Sequence, residues 1–423
     1  MLGRLYKKLA AELAAVRESH RMDIARWQEQ LEPCFQEAGL REASTQGAML
    51  SILVVRLDRI GDFILMSPFL RELRRSFPAA RISLLVRPVV AELARRCPYV
   101  NEVLELELAD RQLTLTGMQR LLEFAHEHLW ERSFALAFCP RASDSVMVDG
   151  MAAYMSGAQQ RIGCSANVFG VQADSYEKRA LLFDRLFTKA VRQPQRPMQE
   201  LERNLLLLEA AGLQVQDRRL EVWFTAADRW QAAQLLAAVP RNRRLAAVSI
   251  GASEPRKTYP VELLAKSLAV LAAQEELCFL LLGGPEERAA GEQLAQALPA
   301  GKAVNLAGQA ALPVSEALVA RSVLYIGNDT GLLHMAAALQ RPIVEISCDL
   351  VVPQGLDYLR LPVHFEPWQV PYILLRPAKG LAPCDGLHSP LGCIAQESHC
   401  IREIAPETVA AAALQLLRIG YRG

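Results

Sequence analysis

The chain has 423 residues, of which 51% are apolar and 22% charged, and its formal net charge is +1. This composition excludes a disordered polymer, and the near-neutral balance gives no ground for bulk nucleic-acid binding. The length allows two or three domains with separate cores, and no apolar run reaches the roughly 18 residues that cross a bilayer.

Residues 1–48 form a distinct segment. Leu2, Leu5, Leu9, Leu13 and Val16 recur at helical spacing beside Arg4, Lys7 and Lys8. The spacing predicts a helix packed on the body of the protein. The alternative is a basic amphipathic helix, residues 1–20, at an anionic membrane surface. The segment lacks the continuous apolar stretch of a signal peptide. Nine cysteines without a Cys-x-x-Cys pair suit reduced thiols, so a cytoplasmic location is expected.

From Ser51 onward the pattern is strand, turn, helix, repeated. Residues 52–55 read as a strand ending at a turn, 58–61, and residues 63–77 as one helix stopped by Pro78. Strands are expected at 82–86, 103–106 and 135–138, with a helix at 89–96. The alternation weakens between 179 and 217, a helix is expected at 199–211, and 220–224 is strand-like. The basic stretch 240–244 reads as the inter-domain linker. A second series follows, with strands at 246–250, 278–282, 303–305, 324–326 and 343–346 and helices between them. Residues 406–417 read as a last helix. Strands alternating with helices imply parallel sheets covered on both faces.

The expected organisation is therefore α/β: a helical extension at 1–48, a Rossmann-like domain at 49–240 and a second at 241–423. Ligands of such doubly wound sheets bind outside the carboxyl ends of the strands, and two domains facing each other would enclose a cleft.

Four turns at strand ends carry candidate chemistry. Gly327-Asn328-Asp329-Thr330-Gly331-Leu332-Leu333-His334 joins a strand to a helix. Its backbone N–H groups at the positive end of a helix suit a phosphate; an ordinary N-cap is the competing reading. Gly251-Ala252-Ser253-Glu254-Pro255-Arg256-Lys257 offers small residues for close approach and a mobile positive charge. In Leu282-Gly283-Gly284-Pro285-Glu286-Glu287, a glutamate could accept from ribose hydroxyls or merely favour the first helical turn. These three turns follow strands of one expected sheet and so converge at one edge, which suits a nucleoside diphosphate. In the first domain, Arg56-Leu57-Asp58-Arg59-Ile60-Gly61-Asp62 places a carboxylate, Asp62, at a helix entrance. Such a carboxylate can act as general base, with Arg56 and Arg59 holding an anionic substrate, or it can be an N-cap beside salt-bridged arginines.

These stretches carry a family resemblance. Residues 52–78 (ILVVRLDRIGDFILMSPFLRELRRSFP), 248–260 (VSIGASEPRKTYP) and 325–342 (YIGNDTGLLHMAAALQRP), with Arg161-Ile162-Gly163, resemble the heptosyltransferase family of glycosyltransferases over residues 50–420. The resemblance implies a GT-B fold and an inverting transfer without cofactor or metal. The donor would be a nucleotide sugar, typically ADP-heptose, and the acceptor a lipopolysaccharide-core or related glycan. No nucleic acid is expected as a partner. The absence of an Asp-x-Asp motif agrees with metal independence. By resemblance, Asp62 falls on the catalytic base and Lys257 on the phosphate-binding lysine. Asp329, Thr330, Gly331 and His334 fall on the diphosphate and donor-sugar loop, with Ser253 and Glu287 also on the donor side. Arg56, Arg59 and Gly61 fall on the acceptor side. Two departures stand out: Ala252 replaces one of two hydroxyl residues, and the 48-residue leader is unusual in the family. A protein (autotransporter) heptosyltransferase, a GT-B epimerase and a non-catalytic nucleotide-sugar binder are the competing readings. An epimerase would leave Arg56, Arg59 and Asp62 unexplained.

The tail contains Cys384, Cys393 and Cys400, with His388 and His399. Their intervals of eight and six residues differ from the two-residue interval of common zinc motifs. A reduced structural tail is the preferred reading, and zinc or iron ligation the alternative.

Overall fold

The computed structural model describes residues 3, 6–7, 32–33, 35–37, 49–108, 115–141, 146–165, 183–194, 196, 198–237, 239–240, 243–349, 365–382, 384 and 395–419. The chain divides into two compact units. One comprises Met1–Arg59 and Met66–Arg218; the other comprises Ile60–Leu65 and Arg219–Gly423.

The first unit is built on a six-stranded parallel sheet in the order β3-β2-β1-β4-β5-β6. Its strands are β1 (Ser51–Arg56), β2 (Arg81–Val86), β3 (Glu102–Glu105), β4 (Leu136–Cys139), β5 (Gln160–Cys164) and β6 (Lys189–Val191). Five of the six β1 residues are buried, as expected of a central parallel strand covered on both faces. One face, through Leu53 and Val55, joins a core containing Met118, Leu121, Trp130, Met151 and Phe35. Elsewhere in the unit, Phe69 meets Phe138 edge-on at 5.4 Å.

Phe35 ties the N-terminal segment to this unit. It is fully buried and sits edge-on to Trp130 and Tyr154 at 6.2 and 5.7 Å. The Tyr154 hydroxyl donates to Glu32 at 2.7 Å, and Tyr6 stacks on His126 at 4.6 Å. The described residues of the segment thus follow the packed reading. Leu2, Leu5, Leu9, Leu13, Val16, Arg4 and Lys8 lie outside the described residues.

The second sheet has the order β12-β11-β10-β7-β8-β9, again all parallel. Its strands are β7 (Arg244–Ser249), β8 (Leu277–Leu282), β9 (Ala303–Asn305), β10 (Ser322–Asn328), β11 (Ile343–Ile346) and β12 (Tyr372–Leu375). Both sheets have the nucleotide-binding order, in which the first and fourth strands are neighbours and the winding reverses between them. In the second sheet that switch point lies between β7 and β10.

Three sequence expectations change. The run 63–77 is two helices, α1 (Ile60–Leu65) and α2 (Ser67–Ser76), because Pro68 has no N–H to continue the first and instead occupies the opening turn of the second. Residues 220–224 are irregular and pair with no strand among the described residues. The units divide at Arg218/Arg219 rather than near 240, because the helix Ala226–Leu235 packs on Leu312–Ala320 of the second unit.

Candidate functional site

Asn328 ends β10, and the chain turns at Asp329 and Thr330 into helix α3 (Gly331–Ala338). Thr330 is the N-cap in extended geometry, yet its hydroxyl makes no capping bond. It meets the Tyr325 hydroxyl at 3.2 Å instead. Tyr325 donates its single proton to the Asn328 carbonyl at 3.0 Å, so Thr330 is the donor between the two hydroxyls. Burial holds the Tyr325 phenol protonated by pushing its pKa well up.

The turn after β7 lies across the switch point from this one. A short 3₁₀ turn, Pro255–Lys257, brings the Lys257 ammonium to 3.4 Å from an Asp329 carboxylate oxygen. Burial opposes the lysine charge, but Asp329 and Asp349 outweigh it and hold the Lys257 pKa above its ordinary value. Lys257 is therefore a fixed cation. Ser253 sits on the same turn and is exposed.

The third turn, after β8, places Glu287 at the end of a 3₁₀ turn, Pro285–Glu287. Its carboxylate folds back to accept from the Gly284 N–H at 2.6 Å. The same side chain fills the space a Cβ on Gly251 would occupy, so a side chain there would displace it. Burial and then Glu286 raise the Glu287 pKa. The three second-sheet turns do converge.

Asn328 links two of them, and sequence reading gave it no role. Its Oδ1 accepts from the Tyr259 N–H at 2.9 Å and its Nδ2 donates to the Gly251 carbonyl at 3.1 Å. The residue is 1% exposed. Both ends of the Gly251–Lys257 turn are thereby held to the end of β10.

His334, in the second turn of α3, is buried. Burial lowers its pKa, although Asp329 pulls the other way, so the imidazole is neutral near pH 7. Its Nε2 lies 3.9 Å from Asp329. A Cβ on Gly61 would come within 2.7 Å of the His334 ring, and one on Gly331 within 2.6 Å of the Ile60 side chain. Gly61 and Gly331 thus let α1 and α3 cross at close range. Asp62 is the acidic residue of the first turn of α1 and is half-buried. The element bearing Asp62 belongs to the second unit, next to α3, and not to the first unit where the domain expectation placed it.

The remaining first-domain expectations fare differently. Arg56 was expected at an acceptor; its guanidinium is 1% exposed and turned inward. It pairs with Asp58 at 2.9 Å and Glu200 at 3.0 Å and donates to Asn204 at 3.1 Å. Arg141, from the carboxyl end of β4, reaches the other Asp58 oxygen at 2.6 Å and Asp149 at 3.4 Å. These paired buried charges fix the turn between β1 and α1, because separating any of them would strand a desolvated charge. Arg59 is half-exposed, and Gly61 serves helix packing. Among the described residues, one group has metal-ligand geometry, formed by Cys384, His399 and Cys400. Cys393 and His388 lie outside the described residues.

The family model described as Glycosyltransferase family 9 (heptosyltransferase) matches residues 166–346. Lipopolysaccharide heptosyltransferase 2 of Escherichia coli K12 is 26% identical over 307 residues, covering 70% of this chain and 82% of that protein. A family 9 glycosyl transferase from Veillonella parvula superposes with a TM-score of 0.67 at 20% identity, over 88% of this chain and 98% of its own. The E. coli ADP-heptose lps heptosyltransferase II superposes with a TM-score of 0.61 at 20% identity, over 88% and 99% of the two chains. The two structures share the fold of this chain, two parallel-sheet α/β domains of the GT-B type.

Proposed function

Because this chain belongs to the heptosyltransferase family of glycosyltransferases, we propose that it transfers a heptose from ADP-heptose to a lipopolysaccharide-core acceptor, with inversion and without a divalent metal. The observation that carries this reading is the assembly of Lys257, Asp329, Thr330 and His334 at the switch point of the second sheet, with the Asp62 helix packed on it through Gly61. The heptosyl donor is supported by the E. coli relatives described above.

In this mechanism the diphosphate lies at the N-terminus of α3. Lys257 and the Gly331 N–H face it, the Thr330 hydroxyl turns its proton from Tyr325 to a phosphate oxygen, and Glu287 takes the ribose hydroxyls. Ser253 borders the donor from the open side of its turn, and Arg59 borders the acceptor. Asp62 removes the acceptor hydroxyl proton as that oxygen attacks the anomeric carbon from the face opposite the diphosphate. The bond from that carbon to the diphosphate oxygen breaks, and its electron pair leaves with ADP. Attack opposite the leaving group inverts the centre. Asp329 keeps Lys257 charged and oriented until the diphosphate arrives, and the neutral His334 adds no charge that would compete for it.

The test is to incubate the protein with ADP-heptose, with and without a lipopolysaccharide-core acceptor, and follow ADP release and product configuration by NMR. ADP release that requires acceptor, with an inverted product, supports the reading. Conversion of the donor without acceptor, or a retained configuration, overturns it. Activity lost to a brief chelator treatment and restored by Mg²⁺ or Mn²⁺ overturns metal-independent chemistry.

A further inference from the structure

The segment between β12 and the helix α4 (Pro406–Arg418) brings three soft ligands together. One ligand atom from each of Cys384, His399 and Cys400 lies within 4.8 Å of the other two. His399 Nδ1 lies 3.3 Å from Cys400 Sγ. Around a tetrahedral zinc with bonds of about 2.0–2.3 Å, ligand atoms stand roughly 3.4–3.8 Å apart, so the trio needs only a small contraction. Both sulfurs are in the apolar core, with Cys384 2% and Cys400 0% exposed.

The backbone is shaped to support such a centre. The Cys384 N–H bonds to the Leu381 carbonyl at 2.6 Å, making a turn that brings Cys384 back on itself. The Leu381 N–H in turn donates to the Cys400 sulfur at 3.4 Å. An N–H directed at a sulfur stabilises a thiolate, the ionised form that binds metal.

The site also has a mechanical connection to the donor loop. Ser398, immediately before His399, donates to the Thr258 carbonyl at 2.6 Å, and the Pro255 carbonyl lies 3.2 Å from the same hydroxyl. Those two carbonyls flank Lys257. A few residues on, the Ile404 carbonyl accepts from the Tyr259 hydroxyl at 2.7 Å. The turn that presents Lys257 is therefore laced at several points to the segment that carries two of the three ligands.

We propose that Cys384, His399 and Cys400 bind a thiophilic divalent cation of the zinc class, and that this cation fixes the 398–404 segment and so positions Lys257 for the diphosphate. The metal does no chemistry on the sugar; binding releases the two thiol protons to solvent and cross-links the loop. The role assigned to Lys257 rests on the proposed function, whereas the metal site itself does not.

The experiment uses the full chain, with Zn²⁺ and Co²⁺ as probes. Element analysis of protein purified without chelator is expected to show about one zinc per chain. Cobalt substitution is expected to give the intense d–d and thiolate-to-metal absorption of a tetrahedral sulfur-containing site. Cys384→Ser and His399→Ala are each expected to lose the cobalt spectrum or shift it, and to weaken ADP binding on the order of tenfold by calorimetry. Absence of both zinc and the cobalt–thiolate absorption from the wild-type chain overturns the site. A cobalt spectrum unchanged in both variants also overturns it. Metal loss with ADP affinity unchanged overturns the link to Lys257. Should either variant fail to fold, the wild-type cobalt spectrum decides the site and zinc removal from wild type decides the link. A wild-type chain that binds cobalt through thiolates but does not bind ADP sinks the functional reading and leaves the metal site standing.

Discussion

The carboxamide oxygen of Asn328 accepts the backbone N–H of Tyr259 at 2.9 Å, across 69 residues of sequence. The amide nitrogen of the same group donates to the Gly251 carbonyl, so the orientation of this amide is fixed by its two partners. One buried side chain therefore sets the spacing between the loop that carries Lys257 and the loop that carries Asp329. Asn328→Asp keeps the shape but turns a donor into a charge facing a carbonyl. ADP affinity is expected to fall on the order of tenfold at pH 8, for a loss of roughly 1–3 kcal/mol. It should partly recover as pH falls, because a protonated carboxyl can again donate. Calorimetry across pH checks this; affinity equal to wild type at every pH would show that the link does not matter for binding.

Asp62→Asn tests the base. The amide is isosteric, so the crossing of α1 over α3 at Gly61 should persist, along with ADP binding. Turnover is expected to fall by about 10²–10⁴-fold, the usual contribution of a general base. A variant that keeps more than about a tenth of wild-type turnover removes Asp62 from that role.

Lys257→Ala separates phosphate recognition from nucleoside recognition. Loss of a charged hydrogen bond should cost about 1.5–3 kcal/mol in ADP binding and little in adenosine binding. The deletion also leaves Asp329 without the ammonium at 3.4 Å, so the remaining negative charge adds to the loss for ADP. Equal losses for the two ligands would place Lys257 away from the phosphates.

The extent to which these features were legible in the sequence differs from residue to residue. Gly-rich turns after apolar runs located the Asp329, Lys257 and Glu287 loops, because the strand and turn patterns are local. The inward turn of Arg56 was not legible, since its partner Glu200 is 144 residues away and a surface arginine has the same local pattern. Arg141 was missed for the same reason: its significance comes from β4 lying beside β1, which is a fact of topology. Gly61 suggested a turn or a ligand contact, yet it is needed because His334 fills the place of its side chain. Residues 220–224 are strand-like in composition, but a strand needs a neighbour and these residues lie outside both sheets. The Cys384–His399–Cys400 group was obscured because its intervals match no compact motif, and a turn at Leu381 closes the distance in space.

A pH dependence of stability follows from Glu102 on β3. Burial alone would raise its pKa, but hydrogen bonds from Arg132, Ser83 and Arg81 prevail and bring it from 4.5 down to about 2. Arg132 approaches both carboxylate oxygens, at 2.9 and 3.1 Å. The folded state thus holds its proton less tightly than the unfolded state. The stabilisation from this group is complete above the unfolded value of 4.5 and disappears as pH falls towards about 2. Glu102→Gln should lower stability near neutral pH and flatten its decline between those two values, measured by denaturant unfolding at several pH values. An unchanged slope across that interval would assign the acid sensitivity to other carboxylates.

The N-terminal segment offers the last test, and Phe35 is its sharpest point. This side chain is fully buried between Trp130 and Tyr154, so it belongs to the core of the first unit despite lying before the first strand. Truncating a buried phenylalanine typically costs about 3–5 kcal/mol through lost burial and the cavity left behind. In a unit of this size each kcal/mol lowers Tm by roughly 2–4 °C. Phe35→Ala should therefore lower Tm by about 6–20 °C, and deletion of residues 1–45 should lower it at least as far. If the segment serves instead as a membrane-surface helix, the deletion should leave Tm unchanged and abolish sedimentation with anionic vesicles at low salt, since each basic residue there contributes about 1 kcal/mol. Thermal unfolding and vesicle sedimentation on the same two variants distinguish the two. Loss of vesicle binding with full retention of stability would mean that the contacts of Phe35 and Tyr6 are incidental to what the segment does.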